Sequence, residues 1–421
     1  MRRETLVLCA LSLFTMPMLG ACGGDEPRPV MPAPPVEPPP APTVVEKPAE
    51  PPPAPKPSIA ELQKAALGTA LQGLNGHDPK MFASVYADDA IISVAGLNEV
   101  NGREAIAQNM AEWFEVFSKA KLGFSRVWVK GHAMVLDWVI NGTNHGELFG
   151  VKGTEQPIGH YGLSIVHFND EGKVQREDRF GELGAVMTQV GAAGAKAKPR
   201  PIPDVPAAPE TIVATGTEEK NLDVAKTVLT ALENKKEADF TAALTDDVEQ
   251  DGVFHLETSK GKDGAKKFFK SFTTAFPDAK FDVKKAFAIG DYAIVMSTMT
   301  ATQKGALGQI PATKRPVAVH LVDIFKIKDG KVARAWTYQN SLEMQQQLGL
   351  FQVTAGNVPA SQAAPAAPKP GTGTTTPAPT TGPKAGGGGG GGGGTGGGKD
   401  TGGGGGKGTG GGSGGGTGGK K

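Results

Sequence analysis

The chain has 421 residues and a formal net charge of only +1, from 44 basic and 43 acidic side chains, which gives no general case for binding nucleic acid. Its two cysteines, Cys9 and Cys22, both fall at the start, so the rest of the chain has no internal disulfide and no thiolate metal site. The 60 glycines and 33 prolines gather in stretches too poor in apolar residues to build a core, which divides the chain into tails, linkers and folded segments.

Arg2 and Arg3 open the chain as a positive region. The apolar run that starts at Leu6 is too short to hold as a membrane-spanning helix. It stops at Leu19-Gly20-Ala21-Cys22, which resembles the lipobox of bacterial lipoproteins. The resemblance implies that residues 1–21 are a signal peptide and that Cys22 carries lipid as the new N-terminus. The lipid bilayer is then a partner through acylated Cys22. Gly23 rather than aspartate after the cysteine implies the outer membrane, in a cell that has one. Residues 22–57 read as a Pro-rich tether, much of it polyproline II. At ~3.1 Å per residue it spans on the order of 100 Å at full extension.

Two folded segments follow, 58–190 and 216–351, joined by a Pro/Ala linker at 191–215. Residues 352–421 are Pro/Thr-rich, then Gly-rich with scattered lysines, and read as low-complexity coil. Ser58 to Glu61 is a capping box; Ile59, Leu62, Ala66, Ala70 and Leu74 follow at helical spacing. Asp78-Pro79 starts a second helix. The second segment repeats the order. Phe82–Asp89 pairs with Phe240–Asp247, and Gly102–Ala105 with Gly261–Gly264, each leading into a third helix. Four strands close each copy, ending at 173–182 and 331–340. The fold class is α+β: tandem domains, each a curved antiparallel sheet wrapped around helices.

The segment 317–340 is the clearest hairpin. Val317, Val319, Leu321, Asp323, Phe325 and Ile327 alternate onto one face, and Asp329-Gly330 marks a two-residue turn. Val332, Arg334, Trp336 and Tyr338 alternate along the return strand. Asp323 puts a carboxylate among apolar neighbours, which is costly unless it is paired, wetted or used. His320, three residues back along the strand, falls on the opposite face.

The second copy resembles the SnoaL-like polyketide cyclases of the nuclear transport factor 2 superfamily. The resemblance is carried by Phe276-Pro277-Asp278, Gly290-Asp291-Tyr292-Ala293, the Gly305–Pro316 loop and Asp323–Val332. It implies a cone-shaped apolar pocket and a cofactor-independent aldol closure, with Asp323 as general acid and base. Trp336 and Tyr338 would line the same cavity, Tyr338 donating to a developing enolate oxygen, with His255 as an alternative polar partner. In the first copy Ser164 stands where Asp323 stands, and Asp178 where Trp336 stands. Serine cannot serve as that base; Asp137, Asp178 and Glu182 are the other acids. Trp138 matches a tryptophan common in the family.

His145, His160 and His167 lack metal-ligand spacing. There is no phosphate-binding loop, dinucleotide fingerprint or nucleophile elbow, so no cofactor is expected. The expected function is a lipid-tethered binding module for a small apolar ligand or a partner. The alternative is a cyclase or isomerase active only in the second domain. Sheet faces would pair the domains to each other or into homodimers. Cys22→Ser is expected to leave the protein unlipidated and soluble on membrane fractionation; unchanged membrane association would rule out the lipid anchor.

Overall fold

A computed structural model describes residues 56–192, 200–252, 258–308 and 310–351. The signal peptide, Cys22, the tether up to residue 55, linker residues 193–199, His255 and the tail from residue 352 lie outside the described residues.

The first domain runs α1 (Ile59–Asn75), α2 (Pro79–Ala83), β1 (Tyr86–Val94), β2 (Val100–Asn101), α3 (Arg103–Val116), β3 (Phe117–Lys130), β4 (Ala133–Asn144), β5 (Pro157–Phe168), β6 (Val174–Gly181) and α4 (Leu183–Gln189). Asp78 caps α2 by accepting from the Met81 amide at 2.9 Å, with Pro79 in the first turn. A short strand, β7 (Glu210–Val213), forms inside the segment expected to be linker, and pairs in parallel with β3 from Arg126 to Val129. An open sheet edge offers unpaired amides and carbonyls, and β7 satisfies them.

The second domain repeats the order as α5 (Lys220–Glu233), α6 (Glu237–Ala242), β8 (Leu244–Gly252), β9 (Ser259–Lys260), α7 (Gly261–Ala275), β10 (Lys280–Ile289), β11 (Tyr292–Thr302), β12 (Pro316–Lys328), β13 (Lys331–Gln339) and α8 (Ser341–Gln347). Asp329 and Gly330 both have positive φ, 51° and 72°, as the expected two-residue turn requires.

The sheets are mixed, not wholly antiparallel as expected. The strand orders are β2-β1-β6-β5-β4-β3-β7 and β10-β11-β12-β13-β8-β9. β1 pairs in parallel with β6, and β8 with β13. The third helix of each domain carries the chain from the first long strand to the far side of the sheet. Three reversals then walk back, and the last strand arrives running the same way as the first.

Each sheet has an inner face against its own helices. Phe82, Ile106 and Met110 meet Leu136 and Val166 in the first domain; Leu229, Phe240 and Phe269 meet Val295 and Phe325 in the second. The outer faces pack on each other. Trp128, Val135, Leu163, Ile165 and Phe180 share one core with Tyr292, Ile294, Val322, Ile324 and Tyr338. The middle of β12 is therefore buried on both sides. Trp128 meets Tyr292 edge-on, with centroids 5.2 Å apart. Ile324→Ala is expected to cost about 2–5 kcal/mol in urea unfolding, although the side chain faces away from its own domain's helices. A loss near zero would mean that this face is not buried against the first domain.

Candidate functional site

The inner face of the first domain does not close on its helices. It leaves a cavity of about 140 Å³, lined mainly by apolar side chains, Leu67, Leu71, Trp113, Phe114, Phe117 and Trp138 among them. One wall is polar: Tyr86, His160, Ser164, Glu177 and Arg179. The strand register makes that wall. Glu177 and Arg179 are two residues apart on β6 and so share a face, and Ser164 on β5 lies directly opposite Arg179.

These groups form one network. Arg179 grips Glu177 through Nε to Oε1 at 2.7 Å and Nη2 to Oε2 at 3.0 Å. The Tyr86 hydroxyl donates to Oε2 at 2.5 Å, and Ser164 Oγ donates to Oε1 at 2.7 Å. Trp138 Nε1 donates in turn to Ser164 Oγ at 3.1 Å. Burial pushes the Glu177 carboxyl up, but the charge and hydrogen bonds of Arg179 outweigh it and hold it below the usual range. Glu177 is thus ionised, and four hydrogen bonds occupy it. A carboxylate held this way is a weak base and a rigid anchor. Burial, followed by the neighbouring Glu177 charge, lifts the Tyr86 hydroxyl well above its ordinary value.

His160 is the other polar feature. Its Nδ1 lies 3.0 Å from the Tyr161 carbonyl oxygen, which only accepts, so Nδ1 carries the proton and Nε2 is left as an acceptor. Burial lowers its pKa to about 4, so the ring is neutral at ordinary pH. Two glycines make room for this wall. Gly162 and Gly181 face each other across β5 and β6. A Cβ at Gly162 would overlap the Trp138 indole, and one at Gly181 would lie 3.1 Å from His160 Cε1.

In the second domain Asp323 is on the inner face, between Val295 and Thr337 in register. Thr337 Oγ1 donates to its Oδ1 at 2.6 Å. Burial raises the Asp323 carboxyl to about 6, against the opposing pull of the Thr337 hydrogen bond. Trp336 and Tyr338 do not share its pocket. They pair with Ile324 and Val322 on the outer face. The reason is a register shift at Lys326/Ile327. Val332 faces inward beside Ile327, but past the irregularity Arg334, Trp336 and Tyr338 all face outward, because one extra residue reverses strand parity.

The acids proposed for the first domain are also away from its cavity. Asp137 accepts from Arg126 Nε and from the Tyr338 hydroxyl, both at 2.8 Å, between the domains. The Arg126 guanidinium lies 3.9 Å from the Trp336 ring centroid. Asp178 meets Arg176 at 2.9 Å and Lys285 at 2.7 Å. Glu182 caps α4 through the Ala185 amide at 3.0 Å and takes the Ser341 amide of the other domain at 3.1 Å. Trp138 lines the cavity. His320 is exposed and lies 2.7 Å from Glu343. His255 lies outside the described residues. No group of acids and histidines suited to a metal ion occurs among the described residues.

Glu177, Arg179 and Tyr86 escaped the sequence reading, and His160 entered it only as a histidine without metal-ligand spacing. The glycine at 162, in the middle of an apolar strand, was the available signal: it marks a close approach to the sheet.

The raised Asp323 pKa has a sign that can be checked. The native carboxyl, at about 6 against the reference 3.8, keeps a proton that the unfolded chain releases. Its contribution to stability therefore falls as pH rises through that interval, by about 3 kcal/mol in total. Asp323→Asn keeps the Thr337 contact and is expected to remove that part of the slope, raising stability above pH 6. Urea titrations of both proteins from pH 4 to 8 measure it; parallel curves would contradict the assignment.

Comparison with known proteins places this geometry in a family. The pattern of the SnoaL-like polyketide cyclases matches residues 64–190 and again 222–348, together more than half of the chain. Among solved structures, AclR from Streptomyces galilaeus is 21% identical, covering 32% of this chain and 98% of its own, with a TM-score of 0.29. TsrD from Streptomyces laurentii is 22% identical, over 32% of this chain and 97% of its own, at 0.29. IdmH from Streptomyces antibioticus is 18% identical, over 31% and 98%, at 0.28. Each of these is therefore as long as one domain of the tandem. No curated protein matches the chain. The chain belongs to the SnoaL-like polyketide cyclase family and carries two copies of its domain.

Proposed function

We propose that this chain is a lipid-tethered binding module whose first domain takes a small, largely apolar ligand. The observation that carries this reading is the cavity itself: an aromatic chamber whose carboxylate, Glu177, is bound by Arg179, Tyr86 and Ser164. Such a wall offers fixed polarity rather than a free base. His160 Nε2 adds one acceptor, which suits a ligand bearing a single hydroxyl. By the scale of known apolar cavities, roughly 150 Å³ takes a benzene ring. The tether rests on Leu19-Gly20-Ala21-Cys22, which supports acylation at Cys22 and a place at the outer membrane.

A second reading, catalysis at Asp323, is favoured by the raised pKa of that carboxyl, which suits a general base. It has lost the donor expected to serve it, since Tyr338 faces the other domain. Turnover of a carbonyl-activated substrate by the native chain, abolished in Asp323→Asn, would establish that reading.

Binding is measurable by fluorescence, because Trp113 and Trp138 both line the cavity. Titration with phenol, one ring bearing one hydroxyl, is expected to change their emission saturably. Ala70→Phe, which fills space at the α1 wall, is expected to weaken binding by about tenfold or more with unchanged circular dichroism. No saturable change, or equal affinity in the variant, would sink the proposal. The outer sheet faces are already buried against each other, so the same reading expects a monomer by light scattering.

A further inference from the structure

The inner face of the second domain carries hydrogen-bonding groups that its core does not use. Ser297 on β11, Leu321 on β12 and Gln339 on β13 form one row across the strands, and Val295, Asp323 and Thr337 form the next. Ser297 is 1% exposed, and its Oγ has no hydrogen-bond partner. Gln339 is 5% exposed. Asp323, 8% exposed, receives the Thr337 bond on Oδ1, and no cation among the described residues pairs with it. Gln250 Oε1, on the same face beside Ala335, is another buried acceptor without a donor. Diagonal neighbours on adjacent strands stand roughly 7–8 Å apart, so Ser297 and Gln339 both flank Asp323 within reach of one small head group.

The comparison with the first domain sharpens the imbalance. At the position of Asp323 the first domain has Ser164, and at that of Thr337 it has Arg179, so its carboxylate, Glu177, is matched by a cation. The second domain has the carboxylate without the cation, and a surplus of acceptors. Buried polar groups are ordinarily satisfied, and a buried carboxylate is ordinarily paired. What is missing is a group that brings both positive charge and N–H donors. Phe268, Phe272 and Phe281 pack against the core that holds Val295 of the strip, and Phe272 and Phe281 also against the one that holds Leu321; the three rings stack in succession, with centroids 5.9 and 6.1 Å apart. Such ring faces attract cations.

We propose that the second domain binds a small organic ammonium compound. Its N–H groups donate to Asp323 and Ser297, and its carbon body lies against the phenylalanine cluster of α7 and β10. This site is separate from the first-domain cavity and needs no chemical step.

Calorimetric titration of the full chain with benzylammonium and with benzyl alcohol tests it, since the two differ in charge and donors but little in shape. Benzylammonium is expected to bind at least about tenfold more tightly. Asp323→Asn, which keeps size and the Thr337 contact, is expected to abolish the preference, and Ser297→Ala to weaken the ammonium several-fold. Equal binding of the two compounds, no binding of benzylammonium, or a preference that survives Asp323→Asn would overturn the proposal. Saturating phenol is expected to leave the ammonium affinity unchanged. Competition between them would place the amine in the first cavity and also overturn it, whereas a failure of phenol to bind would leave the Asp323 comparison intact and count only against the first-domain reading.

Discussion

The packing of one sheet's outer face on the other is the constraint on which the rest of this molecule depends. A curved sheet with helices on one side has a second face that must be hydrated or covered. Here Trp128, Ile165, Val322 and Ile324 cover each other across the two domains. Apolar burial is non-directional, so it does not by itself set how the faces align. The polar contacts add direction. Asp137 accepts from Arg126 within its own domain and from Tyr338 of the other, and Asn340 Nδ2 donates to the Ala95 carbonyl at 2.9 Å. Removing one partner of such a buried set leaves the other unsatisfied, which is why these contacts specify an arrangement more than they add to stability.

That arrangement explains why the two inner faces are free to differ. Outward residues of β6 and β13 serve the interface, and inward residues face the helices. The same strand positions therefore carry two unrelated sets of side chains. In the first domain Gly162 and Gly181 let Trp138 and His160 lie flat on the sheet, and Glu177 is neutralised by Arg179. In the second domain the corresponding row is Ser297, Leu321 and Gln339, and Asp323 has no such cation. One fold thus presents an apolar chamber with a fixed ion pair in the first domain and an acidic strip with open acceptors in the second.

Much of the fold is legible in the amino-acid sequence. The repeat, the helix starts at Asp78 and the turn at Asp329-Gly330 are local signals, set by capping and by φ preference, and they survive into the structure. Strand pairing between β1 and β6 was not legible, because it joins residues such as Ile91 and Arg176, 85 positions apart, and leaves no periodic trace. The site was read less well than the fold. Asp323 was placed on the correct face by simple alternation. Trp336 and Tyr338 were misplaced because the shift at Lys326/Ile327 reverses alternation, and nothing in the run Lys331–Tyr338 announces it. Asp137 and Asp178 looked like pocket acids; they are interface acids, since a strand buried on both faces hides which side a polar residue serves.

By itself, then, the sequence determined the tandem of α+β domains and the substitution of Ser164 for Asp323, which follow from short-range spacing and composition, while the family was carried by a resemblance in motifs such as Asp323–Val332. Only the tertiary structure decided that the outer faces meet, that Tyr338 belongs to that contact, and that the first domain holds the cavity walled by Glu177, Arg179 and His160. The physical reason is the same in each case. Which face of a strand looks at helices, at another sheet or at a ligand depends on register and on distant packing, and a single extra residue in a strand is enough to exchange them.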